Sequence, residues 1–200
     1  MRLKPKQSCP PELYKVRKAS LIMLEKQAQQ GTIDLFFGDE TQFSEQGYVP
    51  YAWQFDNEDV SIKVCRGRTI NCFGLFSRTN QFFYRNSKKN INAAFIIETL
   101  DELSFKLRKP TVIVLDNARV HTARKIKELL KVWQARGLYI FYLPPYSPHL
   151  NIIERLWKEM KQAWIKPEDY LSADQLFYAV DRVCAAIGNQ LFLRFSKPCF

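Results

Sequence analysis

The sequence predicts an α/β domain, a mixed central sheet with helices on both faces. Three observations carry that expectation. Short apolar runs of strand length, residues 33–37 and 111–115, alternate with longer stretches of helical periodicity. The second run is apolar at nearly every position, as a central parallel strand covered on both sides requires. Extended segments come first along the chain, followed by strand, helix, strand and helix.

Taken in order, residues 1–11 are proline-rich and basic and read as an irregular arm. A helix is expected over residues 12–30, with Leu13, Val16, Ser20, Met23, Leu24 and Gln27 on its buried face and Gly31 ending it. A strand then runs to Asp39. Tyr48, Tyr51, Trp53 and Phe55 suggest a half-buried strand, and residues 61–64 and 69–78 a hairpin about Gly67. Residues 81–85 read as a short strand and 91–107 as a helix. Ile126, Leu129, Leu130 and Trp133 recur at i, i+3, i+4 and i+7, which predicts a helix over 122–136 stopped by Gly137. A strand over 138–143, a helix over 151–164 and a last helix opening at Ser172 complete the chain. This is the element order of a ribonuclease H-like fold. The expected division is a basic arm and helix (1–31), a catalytic domain (32–165) and a helical extension of the same domain (166–200).

Composition narrows the function. The 200 residues are 46% hydrophobic, enough for one sizeable core. The formal charge is +10, and it is concentrated: seven Lys and Arg and no acid lie between Ser61 and Ile97. Nine basic residues against Asp116 and Glu128 lie between Ser104 and Gly137. Such stretches favour a polyanionic partner, nucleic acid above all. Five cysteines without a C-x-x-C pair argue against a disulfide framework or a thiolate zinc site, and Cys65 and Cys72 read as free thiols. No run approaches the ~20 apolar residues of a membrane span. Nor is there a G-x-x-x-x-G-K phosphate loop, so nucleotide hydrolysis is not expected.

Three carboxylates stand at positions suited to two-metal chemistry. Asp39 closes the first apolar run, Asp116 closes the second, and Glu154 opens a helix. Two strand ends and a helix start can set three hard oxygen ligands around a pair of cations. Each acid alone has an ordinary explanation: Asp39 as a turn residue, Asp116 as a turn or cap, and Glu154 completing a capping box begun by Asn151. Jointly these explanations weaken, because open α/β sheets present functional residues at the carboxyl ends of their strands. Glu154 falls on the flank of its helix's apolar stripe, together with Lys158 and Lys161. Those lysines face phosphates, or Lys158 simply pairs with Glu154 at i+4.

Phe36-Phe37-Gly38-Asp39-Glu40-Thr41, Leu115-Asp116-Asn117-Ala118-Arg119-Val120-His121 and Leu143-Pro144-Pro145-Tyr146-Ser147-Pro148-His149-Leu150-Asn151-Ile152-Ile153-Glu154 resemble the signature blocks of mariner-type DDE transposases of bacterial insertion sequences. The likeness covers residues 12–165, and its third block is the most specific. It implies that Asp39, Asp116 and Glu154 are the catalytic, metal-binding triad. It further implies two Mg²⁺ ions, for which Mn²⁺ substitutes, and metal-dependent cleavage and strand transfer at insertion-sequence ends. Double-stranded DNA, as transposon end and as target, is then the partner, with Arg119, His121, Lys158 and Lys161 as candidate contacts. The active complex is expected to be a homodimer and the location the bacterial cytoplasm, at the nucleoid.

The sequence departs from the family pattern at His149, where an acid is common, and at Ile152, where proline is common. The 37 residues between Asp116 and Glu154 (154 − 116 − 1) form a long spacer. Only 38 residues precede Asp39, too few for the helix-turn-helix with which relatives read transposon ends, so an upstream DNA-reading segment is expected to be supplied separately. The alternative is a decayed or domesticated derivative that binds DNA without cutting it.

Overall fold

The computed structural model describes residues 9–45 and 67–195. The aromatic stretch at 48–55, the segment 61–64, Cys65 and the bases Lys63 and Arg66 lie outside the described residues. The elements are α1 (Pro11–Gln29), β1 (Asp34–Ser44), β2 (Thr69–Phe76), β3 (Phe82–Ser87), α2 (Ala93–Ser104), β4 (Thr111–Leu115), α3 (Arg124–Ala135), β5 (Leu138–Tyr142), α4 (Ile153–Glu159) and α5 (Ala173–Ala186). A π-helical turn, Met160–Trp164, prolongs α4.

The strands form one sheet in the order β3-β2-β1-β4-β5. β1 runs parallel to β4, from Asp34 opposite Thr111 to Phe37 opposite Val114. β4 runs parallel to β5, while β1–β2 and β2–β3 are antiparallel. Alternation along the strands sorts the core into two layers. Leu35, Phe37, Val112 and Val114 meet α1, α4 and α5, whereas Phe36, Ile113 and Leu115 meet α2 and α3. α1 and α5 therefore pack on one core with β1 and β4. Among the described residues no helix is long and apolar enough to cross a membrane. Cys72 and Cys184 are free, buried thiols.

Two expectations need correction. β1 does not end at Asp39. It continues to Ser44 because β2 pairs with it the whole way, Phe37 opposite Phe76 through Ser44 opposite Thr69. Asp39 thus lies where β1 has outrun its parallel neighbour but is still held by its antiparallel one.

The expected buried face of α1 is also rotated. Leu13, Val16 and Met23 are 41%, 61% and 66% exposed, while Leu21 and Glu25 are buried and Leu24 and Ala28 pack on the core. Side chains with distant partners fix the rotation. Arg78 Nη2 binds Glu25 Oε1 at 2.7 Å, Tyr14 Oη meets His149 Nε2 at 3.0 Å, and the Arg17 guanidinium lies 5.5 Å from the centre of the Phe141 ring.

Candidate active site

Asp39, Asp116 and Glu154 come to one end of the sheet through three local devices. Gly74 stands opposite Asp39 in the β1–β2 ladder, and a Cβ there would come within 2.6 Å of Trp157 Cη2. The bare backbone lets α4 settle close to the sheet with Glu154 in its first turn. Gly38 does the same on the opposite face, where a Cβ would meet Leu115 Cδ2 at 2.7 Å. The third device is Asn151. Its Nδ2 donates to Gly38 O at 3.3 Å, and its own carbonyl accepts from Glu154 N at 3.3 Å. Asn151 therefore does not cap α4 through its side chain, and the capping-box explanation of Glu154 falls away.

Asp116 follows β4 directly. Its Oδ1 accepts from Ala118 N at 2.9 Å and from His121 Nδ1 at 2.6 Å. The His121 bond holds the Asp116 carboxyl below its usual range, against the opposing effect of partial burial. His121 is fully buried, and its other nitrogen, Nε2, lies 2.8 Å from Glu40 Oε2. This second contact is an ion pair by distance, with an angle too poor for a good hydrogen bond. Burial alone would lower the pKa of His121, but the Asp116 and Glu40 contacts outweigh it and raise it to about 9. The ring is an imidazolium bridging two carboxylates. It has no exposed edge for DNA, which corrects its place among the expected DNA contacts. Glu40 gained no role from the sequence, although strand alternation puts it on the face opposite Asp39, toward α3 and its preceding loop.

Asp39 is pushed up to about 7, first by burial and then by the carboxylates of Glu40, Glu154 and Asp116, with His121 partly opposing. Asp39 therefore feels the charge of both other candidate acids. Asp116 and Glu154 also line a single cavity of about 410 Å³ with Asn117, Tyr146, Ser147 and Asn151. Among the described residues, however, no three His, Cys, Asp or Glu side chains are drawn together tightly enough to hold a metal ion.

Of the candidate DNA contacts, Arg119 and Lys158 are exposed. No ion pair joins Lys158 to Glu154; the pair expected at i+4 is not made. Lys161 leans inward from the π-helical turn, with its Nζ 5.4 Å from the centre of the Phe43 ring. Burial lowers the Lys161 pKa, while Glu154 and Asp39 act to raise it, which places the ammonium beside the acids.

The sheet order, the mixed pairing and the helices on both faces define a ribonuclease H-like α/β domain. A family model described as DDE superfamily endonuclease matches residues 34–177, most of the chain. The chain belongs to that family of endonucleases. Similar solved structures include the pre-cleavage Mos1 transpososome, at 17% identity and a TM-score of 0.65, covering 93% of this chain and 58% of that one. The catalytic domain of Mos1 mariner transposase matches at 17% identity and a TM-score of 0.59, covering 92% and 86%. A simian T-cell lymphotropic virus intasome matches at 15% identity and a TM-score of 0.53, covering 83% and 51%. These likenesses are of fold. An uncharacterized protein, y4pE/y4sA of Sinorhizobium fredii (strain NBRC 101917 / NGR234), is 31% identical over 75 residues, 38% of this chain and 49% of that protein. The chain spans about half the length of this curated relative.

Proposed function

We propose that this chain is the catalytic domain of a mariner-type transposase. It would cut DNA at insertion-sequence ends and join the freed 3′ end to a target, with Asp39, Asp116 and Glu154 as the catalytic triad. The observation that carries the reading is the electrostatic coupling of Asp39 to both Asp116 and Glu154 at one end of the sheet. The donor set fits a hard divalent cation. It consists of carboxylate oxygens, and Asp39 is raised to about 7 by burial first and then by neighbouring carboxylates, both of which a bound cation would offset. Two Mg²⁺ ions, or Mn²⁺ in their place, would polarise the scissile phosphate and acidify the attacking hydroxyl.

The protein's own part is positional. His121 keeps Asp116 ionised and fixes its Oδ1, leaving Oδ2 to a ligand. The strut through Asn151 sets Glu154 against β1. Lys161 offers a positive charge beside Asp39 and Glu154, and Arg119 and Lys158 extend it for the phosphates of duplex DNA. The structures that it resembles include a Mos1 transposase paired-end complex with a left transposon end and a Mos1 strand transfer complex. That likeness supports a transposon end as the DNA partner. We further propose a target duplex, a homodimer as the active assembly and a separate helix-turn-helix reader.

Glu154→Gln tests the reading, since it preserves shape and removes the charge that would hold a cation. Mg²⁺- or Mn²⁺-dependent nicking of end DNA should collapse while thermal stability hardly moves. Nicking equal to wild type would refute the triad. A wild-type chain that binds DNA but never nicks it would mark a derivative that has lost cutting.

A further inference from the structure

Asn151 is 5% exposed, and its side chain has two ends with different fates. The Nδ2 end is spent on Gly38 O. The Oδ1 end is buried without a hydrogen-bond partner, in a residue that lines the cavity shared by Asp116 and Glu154. A buried acceptor left unpaired costs roughly 1–3 kcal/mol, so its persistence points to a donor that arrives with a ligand. Asn117 and Ser147 of that cavity do not supply one. Asn117 Nδ2 donates to Leu143 O at 2.6 Å and Ser147 Oγ to Pro145 O at 3.2 Å. Asp116 and Glu154, when ionised, only accept. Apart from the Tyr146 hydroxyl, which leaves Asn151 Oδ1 unpaired, the side chains named here turn mainly acceptors to the cavity.

That imbalance decides which part of a DNA substrate fits. A phosphate oxygen is itself an acceptor and is repelled by Asn151 Oδ1. An O–H group is complementary to it. We propose that Asn151 Oδ1 receives the hydrogen bond of the attacking hydroxyl, water during strand cutting and a DNA 3′-hydroxyl during joining, and so aims its oxygen at the scissile phosphate. The assignment rests on the catalytic reading above. Asn151 takes no proton in this role. It orients the O–H while the phosphate stays on the side of the carboxylates and Lys161. The two steps have different nucleophiles but share a hydroxyl, so one acceptor serves both.

Asn151→Leu keeps the approximate size and removes the acceptor, while Asn151→Asp keeps an acceptor oxygen in place of Oδ1. Both variants, wild type and Glu154→Gln are compared in Mn²⁺ by single-turnover nicking, by strand transfer from pre-cut ends, by duplex affinity and by the Mn²⁺-induced rise in Tm. Asn151→Leu should lose about 100-fold in nicking and by a similar factor in strand transfer, the scale of a misplaced reacting group. Its duplex affinity should stay near wild type. Its Mn²⁺-induced Tm rise should shrink far less than activity, because Leu loses the bond to Gly38 O but keeps the backbone bond from Glu154 N to the carbonyl at position 151. Asn151→Asp should retain activity to within about tenfold of wild type. Wild-type rates in Asn151→Leu overturn the assignment. So does a loss of the Mn²⁺-induced Tm rise along with activity, because Asn151 would then only hold the ligand set together. If Asn151→Leu fails to fold, Asn151→Asp decides: retained activity supports the acceptor and full inactivity in a folded protein overturns it. Wild type nicking no faster than Glu154→Gln removes the catalytic reading itself, and this inference with it.

Discussion

The Trp157 indole occupies the space where Gly74 would carry a side chain, with Cη2 2.6 Å from the ideal Cβ position. Because Gly74 lies opposite Asp39 and Trp157 is three residues beyond Glu154, this contact, with the Asn151 link, helps set how near the helical acid comes to the strand acid. Gly74→Ala should lift α4 from the sheet. We expect a loss of about 1–3 kcal/mol on urea denaturation. Activity should fall further than that loss explains, when measured at a temperature where the variant is folded. A variant with wild-type stability and activity would show that α4 is free to shift.

His121 sets one positive charge between two carboxylates from a fully buried position. His121→Leu leaves Asp116 and Glu40 against an apolar group. Both acids keep solvent contact, so the expected cost is about 1–3 kcal/mol, below that of breaking a fully buried pair. Asp116 should also titrate closer to the ordinary carboxylate range, which NMR of its side-chain carboxyl would read.

Stability should depend on pH in a way that a cation changes. Folding raises Asp39 from 3.8 to about 7, so its contribution is whole below 3.8 and is lost as pH climbs through 7. Folding also raises His121 from 6.5 to about 9, so its contribution is whole below 6.5 and is lost on rising through 9. Both terms make the metal-free protein less stable from mild acid to pH 9. A divalent cation competes with the proton on Asp39, so the Tm rise it produces should grow between about pH 5 and about pH 8. A cation effect that is flat with pH would count against Asp39 as a ligand.

Tyr14 ties α1 to the motif loop through His149, the position where the sequence departs from its family's acid. Tyr14→Phe removes one partly exposed hydrogen bond, with an expected cost of about 0.5–1.5 kcal/mol. The sharper readout is amide exchange, which should quicken in residues 147–151. Unchanged exchange there would make the contact incidental.

Arg119 and Lys158 are exposed and free to meet phosphates. Replacing either by Ala should weaken binding to unrelated duplexes alike and flatten the slope of log K against log salt by about 0.9 per lost contact. A slope that does not change would remove that residue from the DNA surface.

Much of this was legible in the sequence because it depends on local periodicity. The uniform apolarity of β4 gave its place in the sheet, and the i, i+3, i+4, i+7 pattern of Ile126 to Trp133 gave α3. What stayed hidden depends on partners far away along the chain. The rotation of α1 follows Glu25–Arg78 and Tyr14–His149, whose outcome the helix's own apolar stripe does not reveal. The extension of β1 past Asp39 follows the length of β2. The three acids stood out in their motifs as candidates, whereas the Glu40–His121–Asp116 bridge did not, because Glu40 is remote along the chain from the other two. Asn151 was read as a cap, since nothing local shows that its amide reaches Gly38.

Asp39 and Glu40 are neighbours in sequence that serve opposite sides of the sheet, one toward α4 and the other toward His121. The pleat of β1 thus acts as a selector that deals consecutive acids to different tasks. Deleting a single residue between Asp34 and Asp39 would exchange their sides if the pairing of β1 were otherwise kept. Glu40 would take the register of Asp39, Asp39 that of Gly38, and Thr41 would stand where Glu40 met His121. Gly38 would move off the crowded face beside Leu115, and the charge facing α4 would belong to a longer side chain. The composition of this segment tolerates change more readily than its phase does.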